Sequence, residues 1–138
     1  MRARDALYLA NASVLLTHQI DAAYWHEWEL FGLPGGAPFF VLTNVPTVWV
    51  VVWGAYALAL DRTAGIVMSW ALVASGLIAF GLHSFFLARG HAAFDAPVSL
   101  ALLGATLVIS VAQGAVLARR FRGSDARSVR PAAAPAPR

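Results

Sequence analysis

Four apolar stretches, each about twenty or more residues long, constrain the fold of this chain more than any other feature. At a rise of about 1.5 Å per residue, each can cross a hydrocarbon layer of roughly 30 Å as a helix. They cover approximately residues 6–28, 39–60, 63–87 and 96–118. Between the first two, "GLPGGAP" at 32–38 ends a helix, since Pro lacks an amide proton and Gly favours turns. "DRT" at 61–63 is a very short second connection, and "ARGHAAFDAP" at 88–97 is the third. These breaks predict an all-α integral membrane bundle of four transmembrane helices over residues 1–118, with a disordered basic Ala/Pro-rich tail at 119–138.

Only 12% of the 138 residues are charged and 59% are hydrophobic, whereas a soluble domain carries about a quarter charged residues. The remaining surface therefore faces the lipid bilayer. With no cysteine, disulfides, thiolate metal sites and cysteine nucleophiles are excluded. All ten basic residues are arginine. Arg2, Arg4, Arg62, Arg119, Arg120, Arg122, Arg127, Arg130 and Arg138 fall on one side of the four spans, and Arg89 falls on the other. The positive-inside rule then puts both termini in the cytoplasm of a bacterial inner membrane, and this charge is expected to serve orientation rather than nucleic acid. Arg2 and Arg4 before an apolar run also suit a signal peptide, but His18 and Asp21 follow in place of a small-residue cleavage site.

The polar residues are unevenly spread. "LLTHQIDAAYWHEWELFG" at 15–32 holds His18, Asp21, His26, Glu27 and Glu29. In an alternating topology His18, Asp21, Asn44 and His83 share the outer half of the bundle, with His26, Glu29, His91 and Asp95 towards its mouth. At about 100° per residue, Asn11, Trp25 and Glu29 align with His18, Asp21 lies about 60° to one side, and Glu27 points away. Glu27 is thus read as solvated, and Tyr24, Trp25 and Trp28 as an interfacial aromatic belt. "HQID" and "HEWE" place a histidine three residues before an acid, a spacing that lets two side chains meet or ligate one ion. The pairs His18/His26 and His83/His91 have the same spacing, as two duplicated helical hairpins would produce.

The run "LLTHQIDAAYWHEWELFGLPGG" resembles the signature of a family of small uncharacterised bacterial membrane proteins, over residues 7 to about 120. It is also distantly similar to the small membrane proteins named for a His-x-x-Glu-Glu motif, although no paired glutamates follow His18. Neither resemblance implies an activity.

An ionisable group inside a membrane helix costs roughly 2.5–3.5 kcal/mol and normally has a partner. One reading of His18 and Asp21 is therefore catalytic, an imidazole base oriented by a carboxylate. Another is a metal site of His18, Asp21 and His83, completed by His26 or Glu29. Asn44, Trp25, His91 and Asp95 would then form its surroundings or mouth. Donors of this kind suit zinc, iron or manganese, and the substrate would be lipid-like or small. Alternatives are a proton- or ion-coupled transporter or channel subunit, which would form a homodimer to enclose a pathway; a b-type haem held by His18 and His83; and a non-catalytic assembly subunit.

Overall fold

The computed structural model describes residues 1–91 and 95–128, with side chains described to Arg119. Those residues form helices joined by short turns: α1 (Ala3–Tyr24), α2 (Glu27–Leu30), α3 (Gly36–Ala59), α4 (Thr63–Ala88) and α5 (Pro97–Ser128). α3, α4 and α5 are long and apolar enough to cross a membrane. α1 matches them in length at 22 residues, but it carries Arg4, Asp5, His18 and Asp21.

Two sequence-based boundaries shift. The first helix stops at Tyr24 rather than near Trp28, because His26 adopts a left-handed conformation (φ 56°) that no continuing helix can hold. The chain then makes the single turn of α2. At the other end α5 runs on to Ser128, where "RRFRGSDARS" continues the helix beyond its apolar part. The last part of the expected tail, 129–138, lies outside the described residues.

The long helices alternate in direction. α1 and α4 sit diagonally, each flanked by α3 and α5, and they also touch across the centre. One end is fastened by charge. Arg2 and Arg4 both hydrogen-bond Asp61 in the α3–α4 turn, and both reach the Leu58 carbonyl. Asp61 itself has φ 54°, which an aspartate tolerates better than most side chains. The hydrogen bonds from Arg2 and then Arg4 hold its carboxyl at about 2, below the ordinary 3.8. A carboxyl with a depressed folded value stabilises the fold above its unfolded value and loses that effect as pH falls through the folded one. The stability difference between wild type and Asp61→Asn, followed by thermal unfolding in detergent, is thus expected in full above pH 3.8 and to vanish towards pH 2.

The interior mixes apolar side chains with many polar ones, and the outside is apolar. Asn11 and Ser110 are fully buried, and Ser69, Thr106 and Gln113 are 1% exposed, whereas Leu42, Trp49, Ile78 and Val108 are each at least 64% exposed. Such an apolar exterior suits lipid and would aggregate in water. Inside, Asn11 Nδ2 donates to Gln113 Oε1 (2.7 Å), Ser110 Oγ donates to Asn11 Oδ1 (3.3 Å), and Gln113 Nε2 reaches the Ser69 carbonyl (3.4 Å). This net joins α1, α4 and α5. Tyr8 ties α1 to α3 by donating to the Val51 carbonyl at 2.9 Å. In lipid, where apolar contact gives helices no preference for one another over solvent, such bonds and close small-residue packing set the arrangement.

Candidate metal centre

His18 lies two turns before the end of α1 and His83 in the last turns of α4, so the diagonal pairing brings their rings together. The ring centroids are 4.6 Å apart in an edge-to-face arrangement, and the residues are 5% and 4% exposed. These are also the two histidines that the hairpin repeat equates, whereas His26 and His91 are both exposed.

The third member of the group is Glu27, 5% exposed. A helical wheel turns Glu27 away from His18, but the left-handed His26 swings it back over the end of the bundle. Trp28 anchors the turn: it is 8% exposed, packs on Phe40 with ring centroids 5.3 Å apart, and so belongs to the core rather than to an interfacial belt. Phe31 packs on Phe86 of α4. Glu27 Oε1 then meets His83 Nε2 at 2.7 Å.

The hydrogen bonds assign one proton. His83 Nδ1 faces the Ala79 carbonyl at 2.8 Å. A carbonyl only accepts, so Nδ1 donates and Nε2 is directed at the carboxyl group. The 2.7 Å between Nε2 and Oε1 is then a hydrogen bond in which either the imidazole or the carboxyl group donates. His18 contributes a different signal: its Nδ1 is buried and has no hydrogen-bond partner among the described residues. One ligand atom from each of His18, Glu27 and His83 lies within 4.8 Å of the other two. Bonds of about 2.0–2.1 Å to a tetrahedral ion place ligand atoms about 3.3–3.4 Å apart. Binding an ion would require the three side chains to adjust to that spacing and the proton of the His83–Glu27 hydrogen bond to leave. Fixing His83 Nδ1 on a backbone carbonyl is also how metal-binding imidazoles are commonly oriented.

The other sequence-predicted residues stand elsewhere. Asp21 is half-buried on the α5 side of α1, where its Oδ1 accepts from Ser99 Oγ at 3.0 Å. Trp25 Nε1 donates to the same hydroxyl at 3.2 Å. His26 and Glu29 form an exposed pair with 3.9 Å between Nδ1 and Oε1. Asn44 donates to the Phe40 carbonyl at 2.9 Å, within its own helix. His91 rests against the Phe86 ring, and Asp95 is exposed. Glu27 is the member sequence reasoning missed; the one available signal was that histidine enters the left-handed region more readily than most residues.

Over residues 4–120 the chain matches the family described as a family of unknown function, DUF6713, and it belongs to that family. Neither a curated protein nor a solved structure matches it.

Proposed function

We propose that this family member is a membrane-embedded metalloprotein, with α1 crossing the bilayer beside α3, α4 and α5 and one divalent ion held by His18, Glu27 and His83. The observation that carries this reading is the convergence of three buried side chains from separate helices, one of which, His18, also holds a buried Nδ1 with no hydrogen-bond partner among the described residues. Leaving such a nitrogen unsatisfied costs about 1–3 kcal/mol, and an ion would remove that cost. Two imidazoles and a carboxylate suit zinc or iron(II), with manganese a poorer match to the nitrogen donors. Three protein ligands leave a coordination position, and an ion there supplies Lewis acidity and a water of lowered pKa. The chain's own part is to orient His83 through Ala79, bring Glu27 in on α2 and exclude bulk water with Trp28. A substrate reaching this buried end would come through lipid, and so be lipid-like or small.

The same geometry argues against b-type haem. Rings 4.6 Å apart at an edge-to-face angle leave no slot for a porphyrin between His18 and His83. The arginine distribution supports cytoplasmic termini and an inner-membrane location, and the fastening of Arg2 and Arg4 to the α3–α4 turn is consistent with it. A second reading, proton transfer within a transporter or channel subunit, is favoured by the buried hydrogen bond between His83 and Glu27.

Elemental analysis of the full chain, purified in detergent and dialysed against zinc, separates the two. The metal reading expects one ion per chain in wild type and none retained by His83→Ala. No ion in wild type, together with proton flux in liposomes that Glu27→Gln abolishes, would replace it with the second reading.

A further inference from the structure

Asp21 is the acidic side chain that the metal centre leaves unexplained. It lies in the final turn of α1, beside an Ile20 that is 72% exposed on the apolar exterior. Among the described residues no arginine forms an ion pair with it, and its electrostatic neighbours are the His18 and His83 rings, which it does not touch through a hydrogen bond. Its hydrogen-bond partner is the neutral hydroxyl of Ser99, itself 4% exposed and fixed by Trp25 Nε1. A carboxylate at such a place in a membrane protein normally has a positive partner, since the low dielectric makes a lone charge costly.

The surroundings indicate what that partner would be. Asp21 lines a groove of about 450 Å³ between α1 and the start of α5. Ile20 and Val98 supply apolar walls, and Val98 is 66% exposed on the outer surface. Tyr24 and Trp25 stand at the same end, their rings edge to face with centroids 5.1 Å apart. An anionic floor beside aromatic rings suits an ammonium group, and the apolar walls suit an alkyl chain. A single carboxylate with one serine is too small a donor set for a metal ion. An anionic amphiphile would meet like charge, and an uncharged one would leave the carboxylate without a counterion.

We infer that this groove binds a cationic amphiphile, an alkylammonium whose head group pairs with Asp21 and whose chain lies along Ile20 and Val98. The groove is lined by none of His18, Glu27 and His83, so the inference does not require an ion to be bound by them.

Dodecyltrimethylammonium is a suitable probe. Its binding to the full chain in an uncharged detergent can be followed by native mass spectrometry, with dodecanol as the uncharged competitor. Wild type is expected to bind it saturably, Asp21→Asn at least tenfold more weakly, and dodecanol should not displace it. Asp21→Asn keeps the volume and an acceptor for Ser99; should it fail to fold, Val98→Trp fills the groove without touching the carboxylate and is expected to weaken binding similarly. Glu27→Gln should bind the probe as wild type does. Equal affinity in wild type and whichever of the two groove variants folds, or equal displacement by dodecanol, would overturn the inference.

Discussion

Glu27→Gln is expected to weaken divalent-ion binding by the full chain at least about a hundredfold, the upper end of what loss of a group merely supporting a metal ligand produces. The substitution keeps the length of the side chain and its place on α2. It removes the negative charge and offers the ion an amide oxygen instead. It also changes the contact with His83: an amide nitrogen can donate to Nε2, so the imidazole lone pair that an ion needs is occupied by a hydrogen bond. Competition against a chromophoric chelator reads the affinity directly. Asp21→Asn and Glu29→Gln are the informative companions, because Asp21 turns to Ser99 and Glu29 is exposed. Both should bind the ion as wild type does. If Asp21→Asn lost the ion and Glu27→Gln kept it, the site would instead be the His18–Asp21 pair suggested by helical spacing.

Gly65→Ala is expected to destabilise the bundle by at least about 3 kcal/mol, at or beyond the upper end of ordinary overpacking. Gly65 lies in the first turn of α4 and packs on the last turns of α3. A Cβ there would stand 2.4 Å from the backbone N and Cα of Leu58 and 2.8 Å from the carbonyl carbon of Ala57. Backbone cannot rotate aside as a flexible side chain can, so the two helices must separate. Their separation would also disturb the α3–α4 turn that Arg2 and Arg4 hold through Asp61 and Leu58. Gly81→Ala is the control: a Cβ at Gly81 meets nothing within 4 Å, and alanine favours a helix over glycine by up to about 1 kcal/mol. Thermal unfolding in one detergent should place Gly65→Ala well below wild type and Gly81→Ala at or above it.

Much of the fold was legible because membrane helices announce themselves by length and apolarity. The breaks at "GLPGG" and "DRT" fall where α3 and α4 begin. The shared depth of His18 and His83 was also legible, because alternating helices of similar length bring matching positions level. What the chain could not reveal by periodicity is anything beyond a break in that periodicity. Every angle computed from His18 assumes an unbroken helix, and the assumption fails at one left-handed residue, His26. Glu27 passes from the expected solvated face to a buried position because of that single backbone state.

Contacts between distant segments were hidden for a different reason. Asn11 and Gln113 are each a lone amide in an apolar run, and nothing local says that they meet. Only the diagonal arrangement of α1 and α4 around α5 creates the net that joins them to Ser69 and Ser110. The direction of Asp21 illustrates how finely facing matters. About 60° of rotation from His18 suffices to carry it out of the centre of the bundle and onto α5.

The central claim is that imidazoles from α1 and α4 and the carboxylate carried by α2 share one ion. X-ray absorption at the zinc edge of the zinc-loaded full chain addresses it most directly. The expected spectrum has a first shell of nitrogen and oxygen at about 2.0–2.1 Å, with the outer-shell scattering of two imidazole rings that falls to one in His18→Ala. A shell of oxygen alone, or a spectrum that His18→Ala leaves unchanged, would contradict it.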